Sequence, residues 1–187
     1  MRTMNEPSVH DELRPFRRAH APLVAGWVRD DDELFWLAPQ TMPPLTPQKV
    51  IDWTARRGRP MLLCTSDRTE PVGYAELNDL PSRADELWIG HFIIAPERRG
   101  AGLGGRMLRL LLDHAFGPLT ARRVALIVFP ENVLAIRCYE SGGLATAGRQ
   151  ERNFSPRPGT HRMLEMAIDQ AGYRALMART RPPVGNR

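Results

Sequence analysis

A glycine- and arginine-rich segment between an apolar run and an amphipathic helix is the feature that most constrains this sequence. Residues 92–95 read as the end of a strand, and the segment RRGAGLGGR follows at residues 98–106. From Leu103 onward, apolar residues recur at helical spacing. The glycines therefore open a helix, whose first backbone N–H groups and positive dipole end form a site for an anion.

Three kinds of turn could carry this segment. Gly100, Gly102 and Gly105 satisfy the GxGxxG pattern of dinucleotide folds. However, four residues separate the strand from the first glycine, and the next strand does not end in the acidic residue that would bind a ribose. A Walker loop is absent because no Lys-Ser/Thr pair follows. A turn whose glycines serve only geometry, with arginines for solubility, is the alternative without a ligand.

The hydrophobic pattern predicts a strand, helices, three strands, a helix, a strand, a helix and two strands. Strands are predicted at residues 13–16, 61–65, 72–77, 87–95, 124–129, 144–154 and 160–168. Helices are predicted at residues 21–28, after the acidic run at 30–33, after Thr46 and Pro47, at 103–115 and at 133–141. This order indicates an α/β (α+β) fold with helices on the faces of a mixed sheet.

Two motifs resemble one known family. Residues 99–104 (RGAGLG) resemble the R/Q-x-x-G-x-G/A pyrophosphate loop of the GNAT superfamily of N-acetyltransferases. Residues 129–144 (FPENVLAIRCYESGGL) are similar to its second motif, N-x-x-A-I-x-x-Y-x-x-x-G-F, with Leu144 in place of Phe. The resemblance is close over residues 87–144 and looser over 13–169. The opening LRPFRRAH is similar to the branch of ribosomal-protein N-terminal acetyltransferases.

The resemblance implies a GNAT-like, mostly antiparallel sheet of six to seven strands flanked by about four helices. The sheet is expected to splay between the strands at residues 87–95 and 124–129. We expect one acetyltransferase domain at 13–169, a flexible N-terminal tail at 1–12, and a C-terminal extension at 170–187 that is partly disordered.

The resemblance also implies acetyl-CoA as cosubstrate and no metal. The pyrophosphate is expected on the loop amides, and the pantetheine arm along the preceding strand. The residues expected to bind acetyl-CoA are Phe92, Ile93, Ile94, Arg98, Arg99, Gly100, Ala101, Gly102, Leu103, Gly104, Asn132 and Ala135.

Direct attack of a neutral amine on the thioester needs an acid for the departing thiolate and a base for the ammonium. By motif position, Tyr139 is the expected acid. The candidate bases are Glu86 and His91, with Glu76 on a strand that also faces the cleft. Cys138 adjoins Tyr139, but neighbouring helix residues point about 100° apart, so we expect it to be a buried structural residue.

The acceptor is expected to be a primary amine bound by the segments at 30–46, 78–85 and 154–160. No strong base is evident in the sequence, so an α-amine of a peptide or protein N-terminus is slightly favoured over an amine of higher pKa. The alternative acceptor is a small cationic amine, such as a polyamine or aminoglycoside. A non-catalytic acyl-CoA-binding module is the alternative of another class.

The composition argues against several other classes. The net charge is +5, but no stretch alternates basic residues with aromatics, so nucleic acid is not an expected partner. Two cysteines make neither a disulfide framework nor a zinc motif. No apolar run reaches the length of a membrane span, and we expect a cytoplasmic monomer or homodimer.

Overall fold

Seven strands form one sheet in the computed structural model, which describes residues 11–55, 58–67, 69–80 and 83–180. Their order across the sheet is β1-β2-β3-β4-β5-β7-β6, and every pair is antiparallel except β4 with β5. This confirms the predicted mixed sheet. The strands are β1 (Glu12–Pro15), β2 (Gly58–Cys64), β3 (Gly73–Leu80), β4 (Arg83–Ile94), β5 (Arg123–Val128), β6 (Ala145–Phe154) and β7 (Arg157–Asp169).

Six α-helices lie within the described residues, where the hydrophobic pattern predicts five and the family resemblance implies about four. They are α1 (Ala21–Ala25), α2 (Asp31–Leu37), α3 (Pro47–Trp53), α4 (Leu103–Phe116), α5 (Val133–Ser141) and α6 (Gln170–Thr180). The predicted cap of α3 is present, because Thr46 Oγ1 accepts a hydrogen bond from the N–H of Lys49 at 3.3 Å. Helix α1 is shorter than predicted and ends before Gly26.

Helix α6 was not predicted from the sequence. It occupies the first part of the extension at 170–187, and the ring of Tyr173 stacks on Phe116 of α4 with centroids 4.7 Å apart. The Tyr173 hydroxyl also donates a hydrogen bond to Asp113. Residues 1–10, which contain most of the predicted N-terminal tail, and residues 181–187, the last part of the predicted C-terminal extension, lie outside the described residues.

The two faces of the sheet are covered by different helices. On one face, α4 buries an apolar stripe that includes Met107, Leu108, Leu111 and Leu112, each with no exposed surface. Full burial of one such side chain contributes about 1.5 to 3 kcal/mol, so this stripe anchors α4 firmly. On the other face, a second cluster joins helices α1 to α3 to β2, β3 and β4. The first residues of α4 are thereby fixed at one end of the sheet.

Strands β4 and β5 separate after three residue pairs. Glu86 pairs with Arg123, Leu87 with Val124 and Trp88 with Ala125, and the rest of β4 pairs only with β3. Because β4 runs on to Ile94, its last six residues border a gap in the sheet. This confirms the predicted splay, and it leaves strand-edge hydrogen-bonding groups free along the gap.

Candidate active site

The turn between β4 and α4 presents backbone N–H groups to open space. Gly100 and Gly102 have φ angles of 80° and 75°, which residues with a side chain rarely adopt. Gly102 is the N-cap of α4. Within the described chain, the N–H groups of residues 100–105 have no hydrogen-bond acceptor. A Cβ added at either glycine would meet nothing within 4 Å, so the space beside the turn is open. The turn therefore has the geometry of an anion site at a helix N-terminus.

The three arginines of this segment are paired with carboxylates. Arg98 binds Asp67 at 3.0 Å, and Arg106 binds Asp11 at 2.7 Å. The guanidinium of Arg99 donates to the carbonyl of Ile94 at 2.9 Å and to the carbonyl of Trp27 at 3.1 Å, and it also pairs with Glu33.

Arg99 thus ties the turn to the helices of the opposite face, a role that its position in the motif did not indicate. The backbone amides, rather than these side chains, are the uncommitted donors of the turn.

Tyr139 of α5 lies beside the gap in the sheet. Its side chain is buried, and its ring contacts Phe92 of β4 edge-on, with centroids 5.8 Å apart. Burial raises the pKa of Tyr139, with a smaller contribution from Cys138, so the phenol keeps its proton at neutral pH. Within the described residues its hydroxyl has no hydrogen-bond partner, which leaves it available to a bound molecule.

The neighbours of Tyr139 shape the start of α5. Asn132 caps the helix, since its Oδ1 accepts a hydrogen bond from the N–H of Ala135 at 3.2 Å. Cys138 faces α4, and its Sγ lies 3.1 Å from the position that a Cβ on Gly104 would occupy. Burial raises the pKa of the Cys138 thiol. Gly104 therefore permits the close contact of the two helices, and Cys138 fills the space between them.

The two predicted bases occupy different parts of β4. Glu86 lies where β4 and β5 are paired, and its carboxylate binds Arg83 at 3.0 Å and Arg123 at 2.9 Å. Although burial opposes it, hydrogen bonds from the two arginines hold the pKa of Glu86 below its usual value. His91 lies along the gap, next to Phe92. Of the two, only His91 lies on the part of β4 that borders the sheet gap.

His91 contacts two side chains that the motifs do not identify. Its Nδ1 lies 2.9 Å from Oε1 of Glu76 on β3, and its ring stacks on Trp53 of α3 with centroids 4.2 Å apart. Glu76 also accepts hydrogen bonds from the Tyr74 hydroxyl at 2.6 Å and from Nδ2 of Asn78 at 3.3 Å. Because side chains alternate between the two faces of β3, residues 74, 76 and 78 lie on one face. This two-residue spacing of polar side chains is the sequence signal for the hydrogen-bonded group around Glu76.

A cavity of about 170 Å³ lies between α2 and the turn that joins β6 to β7. Arg157 crosses this opening, because it binds Asp32 at 2.6 Å and lies over the ring of Phe35 at 4.6 Å. The residues that line the cavity are Asp31, Leu34, Phe35, Thr41, Pro43, Pro156 and Arg157. Two of the segments predicted to bind the acceptor therefore meet here.

No helix in the described part of the chain is long and apolar enough to cross a membrane. No group of three or more His, Cys, Asp or Glu side chains in the described ranges is arranged to hold a metal ion.

Comparisons with known proteins agree with this geometry. The model of the acetyltransferase (GNAT) family matches residues 9–143. Spermidine N(1)-acetyltransferase from Escherichia coli is 27% identical over 90% of this chain and 91% of its own. Spermine/spermidine N(1)-acetyltransferase from Bacillus subtilis is 31% identical over 44% of this chain and 57% of its own.

Solved structures show the same fold at low sequence identity. Spermidine N-acetyltransferase from Vibrio cholerae, in complex with CoA and spermine, has a TM-score of 0.73 at 20% identity and covers 87% of this chain and 97% of its own. An aminoglycoside acetyltransferase in complex with coenzyme A and kanamycin has a TM-score of 0.69 at 20% identity, over 92% of this chain and 100% of its own.

Proposed function

Because the chain belongs to the acetyltransferase (GNAT) family, and is an acyl-CoA-dependent N-acetyltransferase, we propose that its acceptor is a small polycationic amine of the polyamine or aminoglycoside class. One observation carries this proposal, namely the similarity to spermidine N(1)-acetyltransferase along 90% of the chain. The aminoglycoside acetyltransferase with the same fold supports the wider class. Polyamines carry several ammonium groups on a flexible skeleton, and aminoglycosides carry several on a compact one.

This proposal replaces the slight preference for a peptide α-amine. The relatives are polyamine and aminoglycoside acetyltransferases, so they do not support the ribosomal-protein branch that the opening residues resemble. The earlier preference rested on the lack of an evident base, since an α-amine needs little help to become neutral. The hydrogen-bonded pair of His91 and Glu76 removes that reason.

In the proposed reaction, the amides of residues 100–105 hold the pyrophosphate of acetyl-CoA, and the pantetheine arm lies in the gap beside residues 92–94. The acceptor nitrogen attacks the thioester carbonyl, the new C–N bond forms, and the C–S bond breaks. Tyr139 donates its proton to the departing thiolate. Its neutral, unpartnered phenol in the wall of the gap supports this role.

A competition between acceptors tests the proposal. The enzyme is given acetyl-CoA with spermidine, spermine, kanamycin and a peptide that carries a free N-terminus and an internal lysine, and products are identified by mass spectrometry. We expect kcat/KM for at least one polycation to exceed that for the peptide about tenfold or more, because the similar curated proteins are spermidine and spermine acetyltransferases. As a matched pair, 1,4-diaminobutane and butylamine have the same carbon chain, and butylamine lacks the second ammonium group. Preferential acetylation of the peptide α-amine would overturn the proposal.

Cys138→Ala is expected to retain kcat within about twofold of wild type, because a partly buried thiol whose pKa is raised is a poor nucleophile at neutral pH. Steady-state kinetics with the best acceptor measures this. Cys64→Ala, which removes the other buried thiol, serves as the control for packing loss. An acetyl thioester trapped on Cys138 in the wild-type enzyme, together with loss of turnover in the alanine variant, would instead show a covalent route.

A further inference from the structure

An ammonium group of a polyamine remains almost fully protonated at neutral pH, because its pKa is close to that of lysine, about 10.4. The proposed acceptor therefore needs a base. We infer that His91 accepts the ammonium proton through Nε2, and that Glu76 is the positioning residue that holds the imidazole in the required tautomer. The inference rests on the proposed function, since it concerns deprotonation of that acceptor.

The backbone places His91 where a base is useful. Tyr74 pairs with Ile93 and Glu76 with Gly90, so His91 and Phe92 together oppose the single residue Ala75 in a β-bulge. His91 has a φ of 45°, a left-handed conformation that is strained in a non-glycine residue. The bulge turns Phe92 towards Tyr139 and turns His91 towards α3 on the other face.

The bulge thus puts the two proton-handling side chains on opposite sides of the gap. Tyr139 is on the side of α4 and α5, and His91 is on the side of α1 to α3. An amine that enters from the second side meets His91 before it meets the thioester, while the departing sulfur lies towards Tyr139. This is the arrangement that a base and an acid require in a direct transfer.

The carboxylate of Glu76 determines which imidazole nitrogen is free. Burial alone would raise the pKa of Glu76, but hydrogen bonds from His91, Tyr74 and Asn78 hold it below the usual value. The charged carboxylate can only accept, so the Nδ1 of His91 carries the proton in this hydrogen bond. Nε2 of the neutral ring is then unprotonated and can take up a proton. Within the described residues, Nε2 has no protein partner.

Trp53 fixes the plane of the imidazole. The two rings are nearly parallel, at 13°, and Nε1 of Trp53 donates to Thr41 Oγ1 at 2.9 Å, which anchors the indole. The titratable groups that face His91 are Glu76 and, through it, Tyr74, both from β3. Burial is the main reason that the pKa of Tyr74 is raised, so its hydroxyl stays a donor to Glu76.

The proton balance of the reaction is complete with these two side chains. The ammonium has three protons, and the amide product keeps one. One goes to His91 Nε2 and then to solvent. Tyr139 gives its own proton to the thiolate as the C–S bond breaks. The third proton then leaves the nitrogen and restores the phenol of Tyr139.

The first test is the steady-state kinetics of acetylation of an accepted amine. His91→Gln should lower kcat about 100-fold, because the base is lost. Glu76→Gln should lower kcat about tenfold with little change in KM, because the imidazole is then no longer held with Nδ1 protonated. Tyr74→Phe, which keeps the carboxylate, should give a smaller loss. His114→Gln on α4 is the matched control and should match wild type. Wild-type kcat in His91→Gln or in Glu76→Gln would overturn the inference.

The second test does not depend on turnover. In wild-type protein, the nitrogen chemical shifts of His91 should report Nδ1–H and an unprotonated Nε2, and Glu76→Gln should produce a mixture of tautomers. Urea unfolding of each variant separates this effect from loss of folding. If no polycation in the panel is acetylated, the proposed acceptor fails whatever the tautomer. If a polycation is acetylated but the tautomer is Nε2–H, the inference about His91 fails alone.

Discussion

Gly102→Val is expected to lower acetyl-CoA affinity by about 100-fold or more while the protein remains folded. Gly102 starts α4 with a φ of 75°, and an added Cβ would meet nothing of the protein within 4 Å. The valine side chain would therefore enter the open space beside the amides of residues 100–105, where the pyrophosphate is proposed to bind. Hydrogen bonds to a charged group contribute about 1.5 to 3 kcal/mol each, so loss of two accounts for this factor.

Calorimetric titration with acetyl-CoA measures the effect, and urea unfolding measures the cost of the strained backbone. Gly159→Val is a matched control, because Gly159 also has a positive φ, of 125°, and open space around it, but lies near the start of β7. This variant should carry comparable strain and bind acetyl-CoA as wild type does. Wild-type affinity in Gly102→Val would remove the amide turn from the cosubstrate site.

Those parts of the fold could be predicted whose local sequence patterns match the contacts in the folded chain. The glycine turn and the helical stripe of α4 follow from spacing in the sequence, whereas the motif around Tyr139 was identified only through the family resemblance. The splay of the sheet was predicted only through the family resemblance. Helix α6 was missed because its apolar residues do not form a clear stripe, and because it is held by a contact of Tyr173 with Asp113 and Phe116, far away in the chain.

The acceptor side was less predictable, for a physical reason. The contacts of the Arg99 guanidinium with Trp27 and Glu33 join residues more than 60 positions apart in the chain, and no local sequence pattern indicates them. The relation of His91 to Glu76 depends on a bulge that shifts β4 by one residue against β3. Period-two patterns cannot anticipate such a shift, since an extra residue exchanges the two faces of the strand.

Tyr139→Phe is expected to lower kcat by about 10- to 1000-fold with little change in acetyl-CoA affinity. The hydroxyl of Tyr139 has no protein partner among the described residues, so its removal leaves no buried group unpaired. Burial raises the pKa of Tyr139 above its ordinary value of 10.0, so the wild-type phenol can donate its proton throughout an assay from pH 6 to about 9. Single-turnover kinetics with saturating acceptor measures the chemical step directly.

Tyr173→Phe is the matched control, because its hydroxyl binds Asp113 near the end of α4 that is opposite to the glycine turn. A helix of 14 residues is about 21 Å long, so this variant should change stability and leave kcat as it is. The size of the Tyr139→Phe effect should also depend on the leaving group. An acyl donor whose thiol has a lower pKa needs less help from an acid, and the variant should recover part of its rate with such a donor. A rate deficit that is identical for both donors would show that Tyr139 positions the thioester and that another proton source serves the thiolate.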